Sequence, residues 1–304
     1  MTTILEQEIL GAIMNSKQAI VIDVSRYNGV WDLQVLIDSQ LIPAIDAVII
    51  RGGFAGSSGN NAMDVNYYKY HEISMRLKQI NPRLRIGVYW YPTVHVAWER
   101  QRDFLYGRIL ESTEVDFIAF DIERAFNIIN ATFAVATSRL VKHTLQDYPH
   151  LQGLIYSNRW IYNELRSHTT AFDKYLYWHA QYPYSNWNVL GEYAKKYLTD
   201  TLLKLTNKPT LSNFRTEEEW FLWQIGANTY VGDNFGFSRE SIDISVSQLP
   251  HLDFIAVLDA NKSNTEPDPP PPIKLEIPQS VFDGLDYIET EANHIHEVLE
   301  LMKG

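Results

Sequence analysis

Between residues 19 and 180 the chain alternates short apolar runs with longer amphipathic stretches, and few architectures accommodate that alternation. The runs at 19–24, 47–51, 85–91, 117–122, 153–156 and 175–180 predict strands buried on both faces, because they are near-continuously apolar. Between them, 33–40, 67–79, 96–111, 131–147 and 159–168 carry apolar residues at helical spacing. Repeated βα units predict a parallel sheet with helices outside, either a barrel or a doubly wound sheet. The first strand leads into Asp23-Val24-Ser25-Arg26-Tyr27-Asn28-Gly29, which lacks the Gly-rich phosphate loop of a nucleotide-binding sheet. Polar residues follow nearly every run instead, and in a barrel those strand ends converge on one site. The pattern weakens after residue 185: 189–205 reads as a helix, 207–215 as loop, and 219–225 and 241–246 as strands. The expected fold is therefore an α/β, irregular TIM-like β/α barrel whose last strands lack full covering helices.

With 304 residues the chain can bury a large core. The expected organisation is a helical extension at 1–18, the barrel at 19–260, a Pro-rich linker at 261–277 and a C-terminal helix at 278–304. The extension has Leu5, Ile9, Ala12 and Ile13 at helical spacing, interrupted by Glu6 and Glu8. It reads as a surface helix, since a secretory signal needs a positive start and a longer apolar run. The linker ends in four prolines, which favour extended, semi-rigid geometry. Beyond it Val281, Leu285, Ile288, Ala292, Ile295, Leu299 and Met302 form an unbroken heptad pattern. A helix that short is marginal alone. It would self-associate, dock on a foreign structural partner such as a phage particle, or pack back on its own barrel.

The formal charge of −11 argues against a nucleic-acid partner. No segment is long and apolar enough to span a membrane. Cysteine is absent, so neither disulfides nor thiolate metal sites can form. His294 and His296 lie on different faces of a helix, the other histidines are scattered, and no metal or other cofactor is expected.

Chemistry points to Asp121-Ile122-Glu123. Residues two apart on a strand face the same way, roughly 6.5–7 Å apart. Two like charges on one apolar face do not stabilise a core, but one can hold the other protonated near neutral pH. The plainer reading is a solvated strand end entering a polar loop. Other strand ends carry Asp23, Arg51, Tyr89 and Tyr91, then Trp178, Gln181 and Tyr182, and finally Trp223, Gln224 and Asp243. A lone Asp at such a place is usually a turn-former or helix cap. Three acidic strand ends in one barrel weaken that reading.

The order Ile22-Asp23-Val24-Ser25, Ile49-Ile50-Arg51-Gly52-Gly53, Gly87-Val88-Tyr89-Trp90-Tyr91 and Asp121-Ile122-Glu123 resembles glycoside hydrolase family 25, the Chalaropsis-type lysozymes and many phage endolysins. Trp178-His179-Ala180-Gln181-Tyr182, Trp223-Gln224 and Ile242-Asp243-Ile244-Ser245 are similar to that family's closing motifs, so the resemblance spans about 19–250. It implies an N-acetylmuramidase acting on peptidoglycan glycan strands in the cell wall. With no signal peptide, the enzyme would be made in the cytoplasm and released by lysis, particle carriage or another route. By the same resemblance Glu123 is the general acid and Asp121 orients the sugar's own acetamido group as it attacks the anomeric carbon. Asp23 and Asp243 match two further site acids, and Arg51, Tyr89, Tyr91, Trp178, Gln181, Tyr182, Trp223 and Gln224 fall at substrate-binding positions. Asn28 stands where the family often has Gln, so one substrate contact is expected to differ, and 186–219 is longer than usual.

Two alternatives stay open. One is a virion or cell-surface component whose barrel binds glycan with little or no cleavage. The other is a chitinase-like glycosidase: that acidic motif runs Asp-x-x-Asp-x-Asp-x-Glu, whereas this chain has Ala119 at the central Asp.

Overall fold

The computed structural model describes residues 4–56, 59–124, 128–181, 220–226, 233–239 and 242–262. By contacts the chain divides into two units, Met1–Thr265 and Glu266–Gly304, and every described residue belongs to the first. The expected helix at 278–304, most of the expected linker, the 186–219 insertion and Tyr182 lie outside the described residues.

Nine strands are described: β1 Gln18–Val24, β2 Ala47–Ala55, β3 Asn61–Met63, β4 Arg85–Tyr91, β5 Phe117–Asp121, β6 Gln152–Ser157, β7 Leu176–Ala180, β8 Trp220–Gly226 and β9 Asp243–Pro250. Eight of them close a barrel in the order β1-β9-β8-β7-β6-β5-β4-β2, sealed by a parallel β1–β2 ladder. All neighbours are parallel except β9, which runs antiparallel to both β8 and β1. The short β3 hangs on the outer edge of β2. The described helices are α1 Ile4–Met14, α2 Leu33–Asp38, α3 Tyr67–Ile80, α4 Trp98–Leu105, α5 Ala131–Asp147, α6 Arg159–His168 and α7 His251–Asp259. Three begin on side-chain caps: Asp32, Asn130 and Asn158 accept from the N–H groups of Gln34, Phe133 and Ile161. The segment expected to be helical over 96–111 ends in a π-turn, Tyr106–Leu110.

Alternation along the strands sorts side chains into two cores. Ile20, Ile22, Val48, Ile50, Ile118, Phe120 and Ile155 pack outward under the helices, while Val21, Ile49, Phe117, Ala119, Tyr156 and Trp178 fill the lumen. Ala12 and Ile13 of α1 are buried in the outer core, so the N-terminal extension is a packed element with one covered face.

The floor of the barrel is closed by α7. Because β9 runs antiparallel, the chain emerges at the strand-start face, and Phe254, Ile255 and Leu258 enter the lumen from below. Phe254 stacks on Phe221 with ring centroids 5.0 Å apart. Thus the last strands do lack covering helices among the described residues, but the last helix acts as a plug. Ionic contacts hold it. Arg85, at the start of β4, donates to Asp259 at 2.9 Å through Nε. Asp116, only 2 % exposed, accepts from Lys78 at 3.0 Å, from the Ile86 N–H at 2.7 Å and from Lys262. Asn261 also donates to the Leu151 carbonyl at 3.2 Å. The barrel's own contacts therefore run to Lys262, two residues into the segment expected to be linker.

Candidate active site

At the opposite face, where the parallel strands end, each of the eight barrel strands presents one polar or polarisable side chain to the lumen. They are Asp23 on β1, Arg51 on β2, Tyr89 on β4, Asp121 on β5, Tyr156 on β6, Trp178 on β7, Gln224 on β8 and Asp243 on β9. The ladders fix this ring. Asp23 lies opposite Asp243, Arg51 opposite Tyr89, and Asp121, Tyr156 and Trp178 are successive partners across three strands. The antiparallel β9 contributes its first residue where every other strand contributes one near its end.

Arg51 owes its direction to a bulge. The β2–β4 register slips between Arg51 and Gly53, a device that bends a strand and re-aims its side chains. A Cβ on Gly53 would sit 2.3 Å from the Ala62 carbonyl oxygen of β3, so glycine is what lets the edge strand cross there. The Arg51 guanidinium lies 4.9 Å from the Phe54 ring centroid and 5.8 Å from that of Tyr27, and its Nε is buried without a hydrogen-bond partner.

The carboxylates share a strongly perturbed environment. Burial pushes Asp121 well above the ordinary carboxylate range, Glu123 adds to this, and Arg51 opposes it. Asp121 Oδ1 is buried with no hydrogen-bond partner. Glu123, two residues beyond the end of β5, is also raised by burial and held back by Arg51. Asp23 is raised well above its ordinary value by burial and by Asp243, whose carboxyl is hydrogen-bonded to it. Two carboxyls in such contact hold one proton between them. Gln224 Nε2 donates to Asp23 Oδ2 at 2.9 Å, and Gln224 Oε1 accepts from the Tyr156 hydroxyl at 2.8 Å. Tyr89 is raised by burial, so its phenol stays protonated beside Arg51 and the acids.

The aromatic candidates divide. Tyr91 reaches the Glu123 carbonyl at 3.4 Å and lines the same rim. Trp178 is 2 % exposed, its ring packs edge-on against Tyr156 at 4.6 Å, and its Nε1 donates to Ser245 Oγ at 3.0 Å. It forms the floor of the mouth and offers no open stacking face. Trp223 does not join the lumen. It is fully buried in the outer core, where Nε1 donates to the Gln181 carbonyl at 2.9 Å. Its place is to fix Gln181, not to touch a ligand. Asn28 likewise turns inward, its Oδ1 accepting from the Ser25 N–H at 2.7 Å, so it shapes the loop after β1.

Tyr156 escaped sequence reasoning because a tyrosine inside Gly153-Leu154-Ile155-Tyr156 reads as core. The signal was its position at a strand end, level with Asp121. Among the described residues no three His, Asp or Glu side chains are placed to hold a metal ion together, and no helix is long and apolar enough to cross a membrane.

No protein-family model matches the sequence, and no curated protein matches it. Solved structures do share the fold. A family 25 glycosyl hydrolase from Bacillus anthracis superposes with a TM-score of 0.56 at 16% identity, covering 79% of this chain and 93% of the other. The catalytic domain of the endolysin ply40, from bacteriophage P40 of Listeria monocytogenes, gives a TM-score of 0.53 at 14% identity over 80% and 97% of the two chains. The glycosyl hydrolase 25 GHIP of Streptococcus pneumoniae gives 0.52 at 14% identity over 84% and 99%. The chain has the irregular β/α barrel of the family 25 glycosyl hydrolases and endolysin catalytic domains.

Proposed function

We propose that the chain is a peptidoglycan hydrolase, an N-acetylmuramidase that cleaves the β-1,4 bond from N-acetylmuramic acid to N-acetylglucosamine. The observation that carries this reading is Asp121 Oδ1, buried at the end of β5 with no hydrogen-bond donor among the described residues. A 2-acetamido sugar supplies the missing donor, its amide N–H. That contact and Arg51 both favour the Asp121 carboxylate, so substrate binding moves the proton of the pair onto Glu123. Glu123 then protonates the leaving glycosidic oxygen while the acetamido oxygen attacks the anomeric carbon, forming a cyclic intermediate. Water opens that ring and gives its proton back to Glu123. With the nucleophile supplied by the substrate, two acids at one strand end suffice, and no second carboxylate need face Glu123 across the bond as in the two-carboxylate mechanisms. Arg51 offsets the charge that accumulates when both acids are ionised.

Purified protein should clear peptidoglycan suspensions and release reducing ends at muramic acid, with products identified by mass. Replacing Glu123→Gln should lower turnover by about 10²–10⁴-fold, the range of general acid catalysis, while leaving the fold intact. Walls left uncut by folded wild-type protein from acid to neutral pH would defeat the proposal and favour a glycan-binding component instead. The segment 278–304, whose heptad pattern predicts a helix, belongs to the same proposal as an association element. Sedimentation of the full chain against one ending at Lys262 tests self-association, and two identical monomers would count against it.

A further inference from the structure

One cavity lies beside the ring of acids and takes no part in the chemistry above. It encloses ≈ 300 Å³ and is lined by Asn158, Arg159, Trp160, His179, Ala180 and Gln181. These residues belong to the first turn of α6 and the end of β7. Trp160 is 71% exposed, the most open tryptophan described, and the Arg159 guanidinium lies over its ring at 4.4 Å. That stacking fixes the guanidinium plane and leaves its N–H edge free to meet a carboxylate in two hydrogen bonds. Arg159 has no carboxylate partner among the described residues, although in the same helix Arg166 pairs with Asp173 at 2.6 Å. Burial pushes His179 down to about 4, so the imidazole is neutral and Arg159 is the single cation of the lining. The His179 ring is held by the Tyr177 hydroxyl and by Gln181 Oε1, each at 3.1 Å, which sets the back wall.

The cavity is tied to the catalytic mouth from two sides. Arg124, next to Glu123, pairs with Glu164 of α6. Ala180 and Gln181 follow Trp178, the floor of the mouth, along β7. Its volume is at the small end of ligand pockets, which run roughly 300–1,000 Å³. It suits a short side arm and not a second length of glycan.

We infer that this cavity binds the acidic peptide arm carried by the muramic acid residue, with Arg159 taking a peptide carboxylate and Trp160 the aliphatic part of the arm. The inference rests on the muramidase reading, since a chitin chain has no such arm. It makes Arg159 and Trp160 specificity determinants that act apart from the bond-breaking groups.

Calorimetric titration tests it without requiring turnover. Muramyl dipeptide, which carries one free peptide carboxylate, is titrated into the wild-type full chain, Arg159→Gln and Trp160→Ala, with chitotriose as the uncharged control. Both substitutions should weaken muramyl dipeptide about tenfold, the scale of a lost charge-assisted contact, and leave chitotriose binding unchanged. The indole N–H resonance of Trp160 should shift with the first ligand only. Equal muramyl dipeptide affinity in all three proteins, no binding to the wild type, or parallel loss of chitotriose would overturn the inference. Failure of the muramidase reading looks different: walls stay uncut while muramyl dipeptide still binds through Trp160.

Discussion

Replacing Asp121→Asn should stabilise the protein at neutral pH while removing its activity. Asp121 ends β5 with one carboxylate oxygen buried and unpartnered, Glu123 two residues on, Asp23 also raising it, and Arg51 the one opposing charge. Its pKa is higher in the folded state than in the unfolded chain. Stability from such a group is fully present below the unfolded value, about 4, and is lost as pH rises through the folded value. At pH 7 the wild type carries that loss, and the isosteric amide does not. Each unit by which burial raises the group costs about 1.4 kcal/mol, and losing the attraction of Arg51 returns part of the gain. A net gain of about 1–2 kcal/mol is of the size that removing active-site strain commonly gives. For a barrel of this size that is a rise in Tm of roughly 2–8 °C. Scanning calorimetry between pH 4 and 8 should show the two proteins nearly equal at the acid end and separating as pH rises. An asparagine variant less stable at pH 7, or a gap that does not change with pH, would refute the reasoning.

Tyr156→Phe should cost about 1 kcal/mol, the worth of one buried hydrogen bond, and should move the acid limb of the pH–rate profile because Gln224 is no longer held against Asp23. A purely structural tyrosine would leave that profile in place. Replacing Lys78 and Lys262 together with alanine leaves the buried Asp116 carboxylate with the Ile86 N–H alone, and should cost about 3 kcal/mol or more by denaturant titration. Although burial alone would raise Asp116, the contacts with Lys262, Ile86 N–H and Lys78 prevail and lower it. Its stabilisation is therefore present above about pH 4 and disappears as pH falls through its folded value, so the double variant should lose the wild type's acid transition there. Gly236→Ala should be destabilising, because φ is +84° and the new Cβ would meet the Asp32 carbonyl oxygen at 2.1 Å. An unchanged Tm would show that this loop can shift freely.

Much of the barrel was legible because its strands are apolar on both faces and its helices carry strong periodicity. The segments read as 131–147 and 159–168 coincide residue for residue with α5 and α6, and 85–91 with β4. What escaped depends on tertiary contact. The three residues of β3 are too few to show a period and pair only because the Gly52–Gly53 bulge opens the edge of β2. His251–Asp259 buries Phe254, Ile255 and Leu258, an apolar face that a covering helix would also have, so its place under the lumen follows only from the antiparallel β9. The acids were readable as strand-end charges, but their pairing was not, because Asp23 and Asp243 meet only through closure. Trp178 and Trp223 carried the same letter and near-identical settings, yet strand parity and a register slip in β8 sent one to the lumen and the other to the outer core.

That meeting of Asp23 with Asp243 has a bearing on how the molecule comes together. The two residues sit at the join between the first barrel strand and the last, so this contact is among the most distant in sequence and among the slowest to find. It asks two carboxyls to approach unless a proton comes with them. Because burial and Asp243 raise Asp23, the join should loosen as the solution becomes more alkaline. Amide hydrogens of the β1–β9 ladder should then exchange sooner than those of β4–β5, by a margin that widens with pH once intrinsic exchange is corrected for. The candidate site and the seam that joins the first strand to the last are the same place.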